Sequence, residues 1–323
     1  MEYRRLGSTD FMVSEIGYGT VELGQDYNGC SKPNEKDAID LLQYAVDNGI
    51  NYYDTAAGYG TSERLIGKAF AGNHKVIVAT KVARIDPSVI KTSVYRQIIN
   101  SSIENSCRLL RRDYLDIVQL HSANVAMIAD GRITDELERL KKRGYLRFIG
   151  ATIYDLDAAE AVISDGRFAV VQIPYSLLDR RFAQINAKFA QLDIGIVARS
   201  VLMRGGIFGG DNYPPEINSA AAQLGQLAKS CWGLSESAQL PGSRQARTRN
   251  PDGDSVEVRE GLAKLAYAYV LADTRVSCAL VGTQYMDELE QGIGFSGVEL
   301  DKGIIERVQE ICVDEGLLDI RNW

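Results

Sequence analysis

The chain has 323 residues, of which 45% are hydrophobic and 24% charged, and this composition is typical of a globular protein with a large core rather than of a disordered one. Its 43 acidic residues outnumber its 36 basic residues, and the net charge of -7 argues against nonspecific binding to nucleic acid. No window approaches the ~18 uninterrupted apolar residues of a transmembrane helix, and residues 1–6 contain no apolar signal core, so no membrane partner is expected.

The cysteines indicate a compartment and argue against two kinds of site. They are odd in number, scattered along the chain and never spaced as CxxC, so neither a disulfide framework nor a zinc site is expected. We therefore predict a cytoplasmic protein without a metal centre. The five residues are Cys30, Cys107, Cys231, Cys278 and Cys312.

The amino-terminal residues predict a β-hairpin. Residues 2–6 and 12–16 have strand character, and residues 7–10 between them are turn formers. After this hairpin, segments typical of strands and segments typical of helices begin to alternate.

The first helix illustrates the pattern on which the other predictions depend. Asn34 is a suitable N-cap with Asp37 three residues further on, and apolar residues then recur at helical spacing. Asn48 and Gly49 end the helix, and a strand over residues 50–54 follows at once.

The same alternation continues to the carboxyl terminus. Helices are predicted near residues 62–70, 93–110, 132–143, 156–164, 180–191, 257–272 and 303–314. Short apolar strands are predicted near residues 76–80, 115–120, 147–151, 169–173, 194–199 and 277–281. Eight strand-plus-helix units account for the length and predict the α/β class, as a (β/α)₈ TIM barrel forming one domain over residues 1–323. A doubly wound open sheet is the alternative.

One long segment interrupts this alternation after the seventh strand. Residues 204–256 are rich in Gly, Pro, Asn and Ser, and a short helix near residues 216–230 is expected inside them. Loops of this length are usually lids or mobile segments. Arg244, Arg247 and Arg249 form a basic patch there, which either belongs to a solvated loop or contacts an anion as part of a lid.

Four residues stand where four consecutive barrel strands are expected to end. Asp54 and Tyr59 share a β-rich run that breaks into glycines, while Lys81 and His121 each follow an apolar strand. The ends of parallel barrel strands all point into one mouth, so we expect these four side chains to meet. The other histidine, His74, is expected in a surface turn.

Together these residues predict a proton-donating tyrosine. A phenol with a pKa of ~10 is too weak an acid to protonate an alkoxide at neutral pH unless a cation stabilises its phenolate, and Lys81 is the candidate cation. Asp54 would hold the ammonium in place, and His121 would orient a substrate oxygen or share the proton. Because no side chain carries a hydride, such a site needs a cofactor.

Other motifs are weaker. Residues 17–24 superficially resemble a dinucleotide-binding turn, but the third glycine is misplaced and no suitable helix opens there. The chain has no P-loop, HExxH or GxSxG motif, and residues 250–254 do not satisfy calcium-loop spacing. A Schiff-base lyase that uses Lys81 is a third possibility, against which Asp54 argues, because it keeps the ammonium charged.

Two segments resemble the signatures of the aldo-keto reductase superfamily. Residues 49–67 are similar to its first signature and residues 109–121 to its second, in the family's order and spacing. The resemblance implies a (β/α)₈ barrel closed at its base by the hairpin, which binds an extended nicotinamide cofactor without a Rossmann fold. It also implies that Tyr59 is the general acid, supported by Asp54, Lys81 and His121.

The resemblance also implies a set of cofactor-binding residues. Gly19 and Thr20 would lie near the nicotinamide ribose, Gln172 would bind the carboxamide, and the segment from Ser200 to Leu202 would follow the pyrophosphate. Two positions depart from the family pattern, because Thr152 lacks the usual asparagine after it and Arg199 replaces an aromatic residue that often stacks on the nicotinamide. The full set is Gly19, Thr20, Asp54, Thr152, Gln172, Arg199, Ser200, Leu202, Gly282, Gln284 and Glu288.

The choice of cofactor is finely balanced. Where many relatives carry a basic residue for the 2′-phosphate, the chain has Gln284, with Asp287 and Glu288 nearby, which favours NAD(H). The family's general preference, the basic loop and the free N–H groups at the start of a helix near residues 285–288 favour NADP(H). The balance falls narrowly on NADP(H).

The sequence therefore predicts an NAD(P)H-dependent oxidoreductase that interconverts an aldehyde or ketone, including a sugar-like one, with the alcohol by hydride transfer. A cofactor-binding regulatory or scaffold subunit is the alternative from another class. The expected partner is a small-molecule carbonyl or sugar substrate. Neither its identity nor the oligomeric state follows from the sequence, since specificity in such barrels depends on the strand-end loops.

Overall fold

The computed structural model describes residues 1–234 and 256–319. The strands within them are, in chain order, β1 (Tyr3–Arg5), β2 (Met12–Ser14), β3 (Ile16–Gly19), β4 (Tyr52–Asp54), β5 (Ile77–Lys81), β6 (Leu115–Leu120), β7 (Leu146–Thr152), β8 (Val170–Pro174), β9 (Gly195–Arg199) and β10 (Val276–Gly282). The first two form an antiparallel hairpin, and the other eight form a closed parallel barrel in the order β10-β3-β4-β5-β6-β7-β8-β9.

Helices cover the outside of the barrel. They are α1 (Val21–Gly24), α2 (Glu35–Asp47), α3 (Ser62–Ala69), α4 (Pro87–Ile90), α5 (Val94–Leu110), α6 (Val125–Asp130), α7 (Arg132–Lys142), α8 (Leu156–Asp165), α9 (Ala183–Gln191), α10 (Pro215–Trp232), α11 (Val256–Ala272), α12 (Met286–Gly294) and α13 (Lys302–Glu310). Short 3₁₀ helices occupy Met203–Phe208 and Glu315–Leu317. The (β/α)₈ barrel is confirmed, and the doubly wound alternative is excluded because β10 pairs with β3 and closes the sheet.

The first barrel strand, β3, was missing from the predicted strands. Its sequence holds two glycines, which have low strand propensity, and it follows the hairpin with almost no break. Packing explains Gly17, because a Cβ there would lie 2.6 Å from the sulfur of Cys278. This glycine-rich segment, which superficially resembles a dinucleotide-binding turn, is therefore a strand that needs small residues to fit its neighbours.

The core has an inner and an outer part. Inside the barrel, Tyr52, Ile117 and Val197 belong to an apolar cluster that also contains Leu6 and Val13 from the hairpin. A larger cluster fills the layer between strands and helices. The hairpin therefore closes the base of the barrel, as predicted, and the polar residues at the opposite, carboxyl ends of the strands are left to form a site.

Helix ends differ from the predicted ones by a few residues. The side chain of Asn34 accepts the backbone N–H of Asp37 at 3.0 Å and caps α2 as predicted. α9 begins at Ala183 rather than near residue 180, and α13 ends at Glu310 rather than near residue 314. The sequence prediction did not include the short helices α1, α4 and α6.

The long segment after β9 is only partly described. It contains the expected helix as α10, whereas Arg244, Arg247 and Arg249 lie outside the described residues, so their role as a lid stays a prediction. Within residues 1–234 and 256–319, none of the helices combines the length and apolar character needed to cross a membrane.

Candidate active site

The carboxyl ends of the barrel strands open into a cavity of about 550 Å³, which is within the usual range for small-molecule sites. All four residues of the predicted tetrad line it: Asp54, Tyr59, Lys81 and His121. They come from three consecutive strands rather than four, because Asp54 ends β4 and Tyr59 belongs to the loop that follows the same strand. The structure thus brings the predicted tetrad together at one mouth.

The centre of the site is a buried ion pair. Lys81 Nζ lies 2.7 and 2.8 Å from the two carboxylate oxygens of Asp54 and donates a third hydrogen bond, of 2.8 Å, to the carbonyl oxygen of Thr55. The side chains are only 1% and 6% exposed. Burial opposes the ammonium, but Asp54 and Tyr59 outweigh it and raise the pKa of Lys81, so this side chain stays charged at neutral pH.

Two side-chain amides hold Asp54, the acidic partner of this ion pair. Gln172 Nε2 donates to Asp54 Oδ1 at 2.7 Å, and Gln119 Nε2 donates to the same oxygen at 3.3 Å. Both glutamines point into the barrel, one from β6 and one from β8, the two strands on either side of β7. Sequence reasoning missed Gln119 because it stands inside a mostly apolar strand, where an uncharged amide carries no chemical signal.

Backbone contacts fix the loop that carries Tyr59. Thr61 donates its backbone N–H to the carbonyl oxygen of Gly24, and a Cβ on Gly24 would overlap the carbonyl oxygen of Tyr59. Gly60 has a φ of +56°, in the left-handed region that favours glycine. The ring of Tyr59 consequently lies 4.7 Å from Lys81 Nζ.

The phenol of Tyr59 is protonated at neutral pH. Burial raises its pKa, and Lys81 opposes this effect without reversing it. The sequence argument assigned Lys81 the role of stabilising the phenolate; the structure brings the two groups into contact, and the role itself stays a prediction. The net direction nevertheless means that Tyr59 holds its proton until a strong base, such as an alkoxide, is present.

His121 packs edge-on against Tyr59, with ring centroids 5.8 Å apart and an interplanar angle of 85°. Burial and, to a smaller extent, the nearby cations Lys81, Arg84 and Arg199 together lower the pKa of His121 to about 3. The imidazole is therefore neutral at physiological pH. Its Nδ1 atom is buried without a partner among the described residues.

The predicted cofactor residues lie in the same cavity with one exception. All of them line it except Gln284, which is absent from its walls. The strand-end glycines Gly19 and Gly282 expose bare backbone there, and a Cβ on either would meet only ordinary contacts. Gln172 also lines the cavity, but its amide nitrogen is already bound to Asp54.

Two acidic residues face the end of the cavity near β10. Burial raises the pKa of Glu22 to about 7, and the proximity of Glu288 adds to the shift. Glu288 in turn accepts a hydrogen bond from the hydroxyl of Thr283. The sequence singled out Glu288 but not Glu22, which stands in the segment that was set aside as a false dinucleotide motif.

Arg199 lies flat on a second tyrosine. Its guanidinium carbon is 4.0 Å from the ring centroid of Tyr154, and Nη1 donates to Ser200 Oγ at 3.1 Å. Burial opposes ionisation of Tyr154, but Arg199, a hydrogen bond with Ser122 and two further cations together outweigh it and lower the pKa of the phenol. The sequence did not predict Tyr154, which lines the cavity two residues after Thr152.

Comparisons with known proteins agree with this geometry. The model of the Aldo/keto reductase family matches residues 15–312. The chain is 29% identical over 340 residues to the uncharacterized oxidoreductase YrpG of Bacillus subtilis, covering 98% of this chain and 97% of that protein. It is 26% identical to L-galactose dehydrogenase of Arabidopsis thaliana, over 96% and 94% of the two chains. The holo form of aldo-keto reductase AKR11C1 from Bacillus halodurans shares the fold with a TM-score of 0.73, at 24% identity, over 99% of this chain and 100% of that one.

Proposed function

The chain belongs to the aldo/keto reductase family and is an NAD(P)-dependent oxidoreductase of that family, and from this premise we propose that it interconverts an aldehyde or ketone with the corresponding alcohol, with Tyr59 as the proton donor. Sugar-like carbonyl compounds are included, since L-galactose dehydrogenase is among the relatives of similar length. Oxidation of such a substrate would use the same tyrosine as the base.

The observation that carries the proposal is the charged Lys81 beside the ring of Tyr59. Gln119 and Gln172 hold the carboxylate of Asp54, which in turn holds the ammonium, so the ammonium has a fixed position when the phenol loses its proton. A preorganised charge of this kind stabilises the phenolate without reorganisation at the moment of reaction. The neutral His121 can hydrogen-bond the substrate oxygen without adding a second positive charge.

The cavity has the features that a nicotinamide cofactor needs. Its predicted contacts run along the ends of β8, β9, β10 and β3, where Gly19 and Gly282 leave backbone exposed and Ser200 and Arg204 can meet phosphate oxygens. When bound, the cofactor supplies or accepts the hydride. The residues of the chain do the rest: they orient the carbonyl group, and Tyr59 gives a proton to the substrate oxygen.

We propose NADP(H) as the preferred cofactor, by a narrow margin, with NAD(H) accepted. Arg204 and Arg259 line the cavity and favour the additional phosphate, whereas Glu22, Asp287 and Glu288 oppose it. We expect kcat/KM for NADPH to exceed that for NADH by less than about tenfold, measured with a single carbonyl substrate. A preference of about tenfold or more for NADH would refute the assignment.

The role of Tyr59 is tested by Tyr59→Phe. Loss of general acid catalysis should lower kcat by a factor of ~10² or more while the affinity for the cofactor, followed by fluorescence titration, stays near that of the parent. Tyr114→Phe removes the same hydroxyl group at a position where the ring stacks on His74, away from the cavity, and serves as the control. A fully active Tyr59→Phe enzyme would overturn the proposal.

The site also bears on the two alternative functions, a Schiff-base lyase and a regulatory or scaffold subunit. A Schiff-base lysine must be neutral, whereas the contacts of Lys81 raise its pKa, so borohydride trapping of carbonyl substrates on Lys81 should fail. A regulatory or scaffold subunit would bind the cofactor but show no turnover across aldehydes, ketones and sugars. The intact tetrad favours an enzyme.

A further inference from the structure

Three arginines line the cavity without a carboxylate partner in residues 1–234 and 256–319: Arg84, Arg199 and Arg204. Lys81 is neutralised by Asp54, and the remaining acidic residues of the lining belong to α1, α11 and α12: Glu22, Glu260, Asp287 and Glu288. The cavity as a whole therefore has no excess charge, but its walls after β5 and β9 have a local excess of positive charge. In a chain with a net charge of -7, such a local excess indicates a negatively charged ligand. The proposed cofactor is one such ligand, because it carries phosphate groups. The positions of the arginines indicate which of them would not contact it.

Two of these arginines lie on the side assigned to the cofactor. Arg199 ends β9, where Ser200 and the ring of Tyr154 hold its guanidinium against the wall. Arg204 follows in the loop predicted to run beside the pyrophosphate. Arg84, by contrast, follows β5, which stands opposite β9 in the ring of eight strands.

A hydrogen bond fixes the main chain just before Arg84, whereas no hydrogen bond or ion pair holds the Arg84 side chain within the described residues. Ala83 donates its backbone N–H to Ser102 Oγ at 3.0 Å, which fixes the segment just before Arg84. The nearest acidic residue in sequence, Asp86, is engaged elsewhere, because its carboxylate accepts the backbone N–H of Ser88 at 2.8 Å and the hydroxyl of Ser88 at 2.6 Å. The exposed head of Arg84 therefore presents its donors at the cavity without a partner in the described structure.

Arg84 also lies near the reacting end of the cavity. It comes three residues after Lys81, and β5 is flanked by β4, which leads to Tyr59, and by β6, which ends beside His121. After Lys81, Arg84 is the cation that contributes most to lowering the pKa of His121. A carbonyl group bound at Tyr59 would therefore have Arg84 on the side away from the predicted cofactor contacts.

We propose that Arg84 is an anion-binding residue for the substrate, and that the preferred substrates are carbonyl compounds with a carboxylate or phosphate group. The inference rests on the proposed carbonyl–alcohol chemistry and names its substrate class. A planar guanidinium binds either anion through two parallel hydrogen bonds, which a neutral substrate cannot offer. Arg199 adds positive potential from the opposite wall but is not the anchor.

The test compares substrates that differ in charge and little in shape. With the parent enzyme, kcat/KM for 4-formylbenzoate should exceed that for its neutral methyl ester by about tenfold or more. Arg84→Gln should reduce this ratio to within about twofold of one, and Arg84→Lys should keep part of it. Arg143→Gln is the control and should keep the parent's ratio. The guanidinium lost there lies 5.2 Å from the ring centroid of Tyr145 and does not line the cavity.

A second arm uses 4-formylphenyl phosphate, and its rank against 4-formylbenzoate distinguishes phosphate from carboxylate as the preferred group. A binding measurement keeps the inference separate from turnover. Calorimetry should show benzoate binding to the protein saturated with oxidised cofactor, weakened by about tenfold in Arg84→Gln, and benzamide binding unaffected by that change. Higher salt should weaken benzoate selectively.

Equal rates with the charged and neutral aldehydes in the parent, or an unchanged ratio in Arg84→Gln, would overturn the inference and show Arg84 to be a solvated charge only. Neither result touches the proposed function, which fails separately if Tyr59→Phe retains full activity. A loss in Arg84→Gln that is the same for both aldehydes would also overturn it, because that pattern indicates a general structural role.

Discussion

Two buried ion pairs in this barrel have opposite surroundings. Lys81 and Asp54 meet inside the barrel mouth with side chains 1% and 6% exposed, whereas Arg112 and Asp116 meet between the strands and the helices with side chains 4% and 5% exposed. Both pairs therefore lost their water on folding, and burial alone does not distinguish them. Their further partners do.

The outer pair is saturated by backbone groups. Arg112 donates to Asp116 at 2.5 Å and to the carbonyl oxygen of Val76 at 2.7 Å, and Asp116 also accepts the backbone N–H of Val78 at 2.9 Å. These bonds join the end of α5 to β5 and β6. A pair of this kind can stabilise one arrangement of the chain, but it has no group left for a ligand.

The inner pair is surrounded by groups that can still react or bind. Tyr59 and His121 stand next to Lys81 at the cavity, and unpaired buried atoms remain nearby in the described structure, such as Gln119 Oε1 and His121 Nδ1. Unpaired polar atoms cost stability. The contrast teaches that burial alone does not give the role of an ion pair: the outer pair has its partners within the fold, whereas the inner pair leaves groups open to a ligand, as the proposed function requires.

The largest expected effect concerns the inner pair. Lys81→Met should lower kcat by a factor of ~10² to 10⁴, because the phenolate of Tyr59 loses its stabilising cation. Steady-state kinetics with one aldehyde measure this, and circular dichroism shows whether the variant is folded. A folded Lys81→Met enzyme with normal kcat would remove the distinction between the two pairs.

The outer pair should respond in the reverse way. Arg112→Met leaves Asp116 buried and unpaired, so we expect the free energy of unfolding to fall by about 3–5 kcal/mol. Denaturant titration measures the loss, and the remaining folded enzyme should keep its kcat. The contrary result, a loss of kcat with unchanged stability, would make Arg112 part of the site rather than of the fold.

The third and smallest effect concerns pH. The pKa of His121 is about 3 in the folded chain, below the ordinary value of ~6.5, so between these values the unfolded chain binds more protons. The free energy of unfolding should therefore fall as the pH drops below ~6.5, with a slope that reflects at most about one proton from this residue.

His121→Gln should lack that contribution while other groups titrate as before. Comparing parent and variant by denaturant titration at pH 7, 6 and 5 isolates the difference. Parallel pH dependences in the two proteins would show that His121 titrates normally, and that the inner site is wetter than its burial indicates.

The sequence predicted the architecture because periodicity and strand-end polarity are local signals. Helical spacing and apolar runs located the elements between residues 34 and 310, and the meeting of the four predicted site residues followed from residue types at the strand ends. The prediction missed β3 because this strand fits through glycines that pack against β10, and no local sequence pattern reveals that contact.

Side-chain partners were the harder part. Nothing local to Gln119 or Tyr154 indicates that one binds Asp54 and the other lies under Arg199, since both contacts cross the barrel mouth between distant segments. The family resemblance put Gln284 in the cofactor site, but it is not among the residues that line the cavity, so its role there stays a prediction. Contacts between segments far apart in sequence decide such details.

The close approach of Gly24 to Tyr59 also limits which substitutions this enzyme can tolerate. A residue that carries no reactive group sets the position of the proposed acid, because the space it leaves empty is where the Tyr59 backbone runs. Substitutions at Gly24 should therefore be tolerated as poorly as substitutions of the tyrosine itself. Evolution toward new substrates would have to proceed through the cavity walls around Arg84 and Tyr154, where side chains rather than main chain would meet a ligand.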